Sequence, residues 1–244
     1  MLNFSLLIFE IIIIAVMILF MHGMRRQIGY GVLYVFVGAL QFFQTLLVSN
    51  VYDNNFLGFR FSPGSTIFYT ASLFVIFLTS YSENLIKTRG LIYGLLISNI
   101  AITLFSHFLL IHSETDAKSS SIFLEELLNF ELTLFLIGTS LLYIEGMMIV
   151  ILFQIFELKL PKLPLFIKIL ITMSIVCLFD SVAFYTFFYF NVDNYEELMI
   201  GNIVGKQMTV LIFTFFFYFY LTQLAELKTR KPKTIRETLR VFTF

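Results

Sequence analysis

Seven apolar stretches dominate this sequence, and each of them is long enough to cross a lipid bilayer. A membrane-spanning helix needs about 20 mostly apolar residues, and the stretches that qualify cover residues 2–21, 29–49, 65–82, 91–112, 132–156, 165–190 and 200–223. None of them alternates apolar and polar residues as a barrel strand would. The chain is 59% hydrophobic and only 13% charged, which is too little polar surface for a soluble domain. The sequence therefore predicts an all-α integral membrane protein, a bundle of seven transmembrane helices.

Charged residues outside these stretches predict the direction of the bundle. The first basic residues, Arg25 and Arg26, follow the first stretch, and most other basic residues fall on the same side of a seven-span topology, including those of the last twenty residues. Most acidic residues of the intervening loops lie on the opposite side. Because basic loops stay in the cytoplasm, we expect the N-terminus outside and the C-terminus inside. The basic tail is interpreted as an anchor beside anionic lipid or as a docking site for a cytoplasmic partner.

Four ionisable residues lie within the apolar stretches, where a charge is costly and marks a candidate functional position. They are Glu10, Glu145, Asp180 and Lys206. Asp180 and Lys206 lie at similar depth in consecutive spans joined by a short loop, and such helices are usually neighbours. We therefore expect these two side chains to pair, either as a static lock or in the wall of a polar cavity. Glu145 is followed by Gly146, which permits close helix packing, so it is either a hydrogen-bonded interior carboxyl or a cavity acceptor.

The sequence contains no motif typical of an enzyme, a phosphate-binding loop or a metal site. Phosphate loops, zinc-protease helices, serine-hydrolase elbows and kinase motifs are all missing, and a single cysteine, Cys177, offers neither a disulfide nor a cysteine metal site. His107 and His112 alone are a weak metal signal. Sixteen basic residues balance sixteen acidic ones, so there is no overall positive charge to attract nucleic acid. We expect no catalytic activity, no cofactor, no bound metal and no nucleic-acid partner.

Several short segments occur in an order that resembles a known transporter family. The second stretch ends in Ser49 and Asn50, followed by LGF and Gly64; ENLIKTRGLIYG begins at Glu83; DSVAFYTFFYF begins at Asp180; and NIVGKQ contains Lys206. Together they cover residues from 48 to about 228, and they resemble the vitamin-uptake-transporter-like family, best known for transporters of queuosine precursors.

This resemblance implies a multi-pass protein of the bacterial inner membrane that carries a small deazapurine, such as preQ0 or preQ1, into the cytoplasm. It implies a six-helix core over residues 25–227, which leaves an additional N-terminal transmembrane helix over 1–24 and a basic cytoplasmic tail over 228–244. With Glu145 added from the pattern of buried charges, the candidate ligand-binding residues are Asn50, Glu83, Glu145, Asp180, Asn202, Lys206 and Gln207.

Two other functions remain open at this stage. One is a sensor that kept the fold without transport and signals to a cytoplasmic partner through the basic tail. A homo-oligomer is also compatible with the sequence. A retinal-type photoreceptor using Lys206 is disfavoured, because Lys206 lies near the start of its span and the chain has no tryptophan.

Overall fold

The computed structural model of the protein describes residues 2–56, 59–83, 85–115, 132–188 and 195–224. Seven of the helices in these ranges are long and apolar enough to cross a membrane, which confirms the predicted helical membrane bundle. The helices are α1 (Leu2–Gly23), α2 (Arg25–Ile28), α3 (Gly31–Asn50), α4 (Thr70–Ser82), α5 (Leu85–Thr115), α6 (Leu132–Lys159), α7 (Leu165–Phe188) and α8 (Tyr195–Phe219). A π-helical turn, Gly64–Tyr69, leads into α4, and a second one, Tyr220–Leu224, continues α8. The short α2 is the helix that does not span.

The helix boundaries follow the predicted stretches closely, apart from the starts of two helices. The seventh span was predicted from residue 200, but α8 begins at Tyr195. The fourth span was predicted from residue 91, but α5 begins at Leu85 because its charged first turn, with Lys87 and Arg89, is helical as well. The basic tail lies outside the described residues. Which side of the membrane each terminus faces stays a prediction.

Helix α4 occupies the centre of the bundle. It packs against α1, α3, α5, α6 and α8, and nearly every residue from Thr70 to Ser80 is buried. Its small Ser and Thr side chains let neighbouring helices approach closely, as is typical of helix interfaces in membranes. By contrast, most of α5 lies at the periphery.

A short antiparallel hairpin connects α3 to the first π-helical turn. Its strands are β1 (Asp53–Phe56) and β2 (Phe59–Phe61), and β2 lies against α8. The sequence analysis did not predict these strands, because segments this short carry no long alternating pattern. Phe61 is buried, so the hairpin covers one end of the bundle instead of forming a separate unit.

Three glycines hold the segments of this end in close contact. A Cβ atom at Gly64 would lie 2.7 Å from the Gln44 carbonyl oxygen, and one at Gly205 would lie 2.7 Å from Cγ2 of Thr66. A Cβ atom at Gly201 would overlap the Arg60 carbonyl. Glycines four residues apart on one helix face are a known device for close packing in membranes. Here Gly201 brings α8 against β2, Gly205 brings it against the π-helical turn, and Gly64 brings that turn against α3.

Candidate functional site

A polar pocket lies in the half of the bundle where α3, α5 and α7 end and where α4, α6 and α8 begin. It holds about 700 Å³ of space, including the part that opens to the surroundings, which is within the range of small-molecule sites. Six segments each contribute two residues one helical turn apart, which therefore share a face. The pairs are Gln44 and Val48, Ser65 and Tyr69, Asn99 and Thr103, Phe135 and Thr139, Asp180 and Phe184, and Asn202 and Lys206.

The ion pair expected between the sixth and seventh spans is present in the wall of this pocket. The Lys206 ammonium group donates a hydrogen bond to the Asp180 carboxylate, and the side chains are only 2% and 7% exposed. The ammonium nitrogen also lies 5.1 Å from the centre of the Tyr69 ring. A buried charge is tolerated when it is paired and hydrogen-bonded. The Asp180 carboxylate and the Tyr69 ring therefore stabilise the buried ammonium group of Lys206.

Glu145 is connected to the pocket through the same tyrosine. The Tyr69 hydroxyl donates a hydrogen bond of 2.6 Å to Oε2 of Glu145, whose side chain is fully buried in α6. The other carboxyl oxygen, Oε1, has no hydrogen-bond partner among the described residues. Glu145 does not line the pocket itself. It lies behind Tyr69, which corresponds to the first of the two alternatives given for Glu145, a hydrogen-bonded interior carboxyl.

Asn202, next to the ion pair, connects α8 with α7 and with the π-helical turn before α4. Its amide nitrogen donates to the Ser65 hydroxyl, and its amide oxygen accepts a hydrogen bond of 2.9 Å from Ser181. Ser181 is the residue after Asp180, so the contact fixes α7 and α8 side by side at the depth of the ion pair.

The opposite wall of the pocket carries polar groups that have no protein partner within the described residues. Oε1 of Gln44, Oδ1 of Asn99 and Oγ1 of Thr139 are all buried and unpaired there. A buried polar atom without a hydrogen bond costs about 1–3 kcal/mol. Three such atoms belong to residues that line this one pocket, which makes it the candidate ligand site.

The structure thus brings together three of the seven predicted ligand-binding residues, Asp180, Asn202 and Lys206, in the pocket wall. Gln207 faces α7, where its amide donates to the Ser174 carbonyl at 3.2 Å. Asn50 is the last residue of α3, and its side chain lies outside the described part of the structure. For all seven residues, ligand binding stays a prediction.

Glu83 lies at the other end of the bundle, in a group of polar side chains that we call the His22 cluster. Its members are His22, Arg25, Tyr30, Ser82, Glu83, Lys87 and Tyr220. Fully buried His22 lies at its centre, with Nδ1 at 2.7 Å from the Tyr220 hydroxyl and Nε2 at 2.9 Å from the Ser82 hydroxyl. The cluster therefore ties the end of α1 to the ends of α4 and α8.

Around Glu83, the same cluster gathers opposite charges. The carboxylate accepts hydrogen bonds of 2.6 Å from Tyr30 and 2.8 Å from Lys87, and Nε of Arg25 lies 3.7 Å away. Burial alone would raise the pKa of Glu83, but the hydrogen bonds from Lys87 and Tyr30 and the nearby cations hold this pKa below its ordinary value. Burial and the bond to Glu83 raise the pKa of the Tyr30 hydroxyl. Glu83 is therefore an ionised structural partner here.

The sequence analysis missed the uncharged half of the pocket and the whole centre of the His22 cluster. Gln44, Asn99 and Thr139 were not predicted, because an uncharged polar residue within a span is a weaker signal of function than an ionisable one. The four-residue spacing of Asn99 and Thr103 was a usable signal, since both lie on one face of an otherwise apolar helix. His22 carried no such signal, because its partners are 60 and 198 residues away.

A seven-helix membrane bundle with a polar pocket in one half defines the class of this molecule, a multi-pass helical membrane protein. The chain belongs to the vitamin uptake-like sensor family, whose model matches residues 15–221. The match begins within α1 and ends in the π-helical turn after α8. No curated protein and no solved structure matches the chain. The resemblance to a vitamin-uptake-like family is confirmed at this level.

Proposed function

We propose that the protein is a membrane sensor that binds a small vitamin-like or nucleobase-like molecule in the pocket between α3 and α8. The observation that carries this proposal is the set of unpaired polar atoms of Gln44, Asn99 and Thr139 facing a wall that holds the Asp180–Lys206 ion pair. Queuosine precursors such as preQ0 and preQ1 are the first candidates, on the strength of the sequence resemblance. The proposal includes no catalytic step.

The lining of the pocket suits a flat molecule with several hydrogen-bond donors. Amide oxygens and a hydroxyl on one wall can accept hydrogen bonds from ring or amino N–H groups. Aromatic rings of Tyr69, Phe135 and Phe184 add apolar surface, against which a planar heterocycle can stack. A deazapurine offers both features, since its ring system is planar and carries N–H donors along its edges.

The centre of the bundle supports sensing. Beyond Lys206, the rings of Phe74, Phe213 and Phe217 are fully buried, with centroids 5.0 and 5.2 Å from Phe74 to its two neighbours. This aromatic layer separates the pocket from the His22 cluster. The segments that hold Tyr69 and Lys206 nevertheless continue through the layer to Ser82 and Tyr220. A ligand that displaces either segment therefore acts on the cluster and on the end of the seventh span at Leu224.

Transport of a queuosine-precursor-like molecule is the second candidate. It is favoured by the position of the ion pair in the pocket wall, because a passing ligand could exchange for one partner of the pair. Transport additionally requires that the aromatic layer of Phe74, Phe213 and Phe217 part during each cycle, whereas sensing does not.

Thermal unfolding of the full-length protein in detergent tests the binding step. We expect preQ0, preQ1 or another small heterocycle of a vitamin panel to raise the midpoint, and we expect Asn99→Leu to abolish the shift. The matched control is Ser106→Ala, which removes a buried polar group of the same helix outside the pocket lining and should keep the shift. If no compound stabilises the protein, or if Asn99→Leu responds normally, the proposed pocket is wrong.

Uptake into proteoliposomes then separates the two candidates. A ligand that stabilises the protein but is not accumulated supports the sensor. Accumulation that depends on Asn99 supports the transporter and overturns the sensor.

A further inference from the structure

A second cavity lies outside the pocket, along the surface between α1 and the end of α8. This groove holds about 1280 Å³ of space, including its open side. Its walls are apolar and include Val16, Phe20 and Phe219, which are 49%, 65% and 53% exposed. Arg25 and Arg26 lie at one end of it. The groove is therefore apolar along its length and cationic at its mouth.

The mouth of the groove lies at the level where both flanking spans end. Arg25 and Arg26 follow directly on the first span, which ends at Gly23, and Leu224 is the last residue of the seventh span. Val16 precedes Arg25 by nine residues, which corresponds to roughly 13 Å at 1.5 Å per helical residue. The two arginines thus lie at headgroup depth, and the apolar walls extend from there into the acyl region.

The two arginines at the mouth differ in the solvent exposure of their side chains. Arg25 belongs to the His22 cluster, where its guanidinium group donates to the His22 carbonyl at 2.9 Å, and its side chain is only 9% exposed. Arg26 is exposed. A group that enters the mouth therefore meets Arg26 at the surface and the positive field of Arg25 behind it.

Charge complementarity selects an anionic occupant. The chain beyond Leu224 carries six basic residues against two acidic ones over residues 225–244, so this tail would be repelled by the arginines and would itself attract an anion. A positively charged mouth above an apolar groove at headgroup depth matches one kind of molecule in its surroundings, a phospholipid with an anionic headgroup.

We infer that the groove between α1 and the end of α8 is a binding site for an anionic phospholipid. The phosphate and headgroup lie at Arg26 and Arg25, and an acyl chain lies along Phe20 and Phe219. This site is separate from the polar pocket, and it adds a lipid contact beside Arg25 and Tyr220 of the His22 cluster.

Native mass spectrometry of the full-length protein with added lipids tests the inference. We expect phosphatidylglycerol to bind more tightly than phosphatidylcholine with the same acyl chains. Arg26→Gln should weaken phosphatidylglycerol binding about fivefold, the equivalent of about 1 kcal/mol for one basic residue near the headgroups, and weaken phosphatidylcholine binding less, because the choline cation offsets the charge of its phosphate. The matched control is Lys162→Gln, which removes one exposed positive charge from the loop between α6 and α7, outside the groove, and should leave both lipids unchanged.

Three results would overturn the inference. The first is a lack of charge selectivity, seen as equal affinity for the two lipids in the wild-type protein or as equal loss of binding in the two variants. The second is thermal stabilisation by inorganic phosphate or glycerol phosphate as large as that by phosphatidylglycerol at the same concentration, because a soluble anion site would then explain the arginines. The third is disulfide crosslinking of a Phe20→Cys variant into dimers, which would assign the groove to a second copy of the chain.

Discussion

Lys206 and Asp180 form a buried ion pair across α7 and α8, and both side chains also line the polar pocket. A pair in this position can be a lock that holds the two helices together, part of the binding site, or both. These roles are separable, because stability responds to the charge balance of the pair whereas binding responds to the chemical groups themselves.

We expect Lys206→Met alone to destabilise the protein by about 3–5 kcal/mol, since it leaves the Asp180 carboxylate buried without its partner. The double variant Asp180→Leu with Lys206→Met should recover most of that stability, because well-packed apolar residues can replace a buried pair at little cost. Unfolding in detergent measures both. If the double variant is stable and still binds the stabilising ligand, the pair is only a lock.

The hydrogen bond from Tyr69 to Glu145 also predicts that a single variant is less stable than the corresponding double variant. Tyr69→Phe removes the donor and leaves the fully buried carboxyl of Glu145 without a described partner, which should cost about 1–3 kcal/mol. Adding Glu145→Leu should restore part of the loss, because no buried polar group is then left unpaired. The two single variants and the double variant form a cycle in thermal unfolding, and simple additivity of their effects would contradict the contact.

The His22 cluster should contribute to the attachment of α8 at this end of the bundle. His22→Phe removes hydrogen bonds to both Tyr220 and Ser82, and we expect a loss of about 1–3 kcal/mol together with faster proteolysis after Leu224. Tyr220→Phe removes only one of the two bonds and should have a smaller effect. Equal proteolysis of wild type and His22→Phe would mean that the cluster does not hold the end of α8.

Glu83 gives the protein a pH dependence of known sign. Because the pKa of Glu83 in the folded protein lies below its ordinary value of 4.5, its stabilising contribution is complete above that ordinary value and is lost as the pH falls through the lowered pKa. We expect the stability difference between wild type and Glu83→Gln to be constant at neutral pH and to shrink in acid. A difference that grows on acidification would show that the carboxylate is not stabilised by Lys87, Tyr30 and Arg25.

Two glycines in different surroundings test the close packing that shapes the pocket. Gly64→Ala places a methyl group against the backbone of α3, and we expect it to destabilise the protein by about 1–3 kcal/mol and to weaken ligand binding. Gly94→Ala is the matched control, because a Cβ atom there meets open space and alanine is the better helix former by about 1 kcal/mol. Similar effects of the two substitutions would argue against the close contact of the π-helical turn with α3.

The sequence predicted the spans, because the length and hydrophobicity of a segment are local properties that the bilayer reads directly. It also predicted that Asp180 and Lys206 meet, since their depths follow from counting residues along two consecutive helices. The sequence showed that the polar residues Asn99 and Thr103 share one face of their helix. It did not show which neighbouring helix that face contacts. The rotation of each helix depends on side chains from other helices, such as the contact between Gly205 and Thr66.

Sequence alone thus determined the seven-helix membrane class, the approximate spans and the ion pair, all of which depend on short stretches of chain. Tertiary structure alone decided that Gln44, Asn99 and Thr139 surround one pocket with Lys206, that Glu145 lies behind Tyr69, and that Glu83 lies at the other end. It also joined His22 to Tyr220 across 198 residues. Such contacts depend on how several helices pack together, and no single stretch of sequence contains that information.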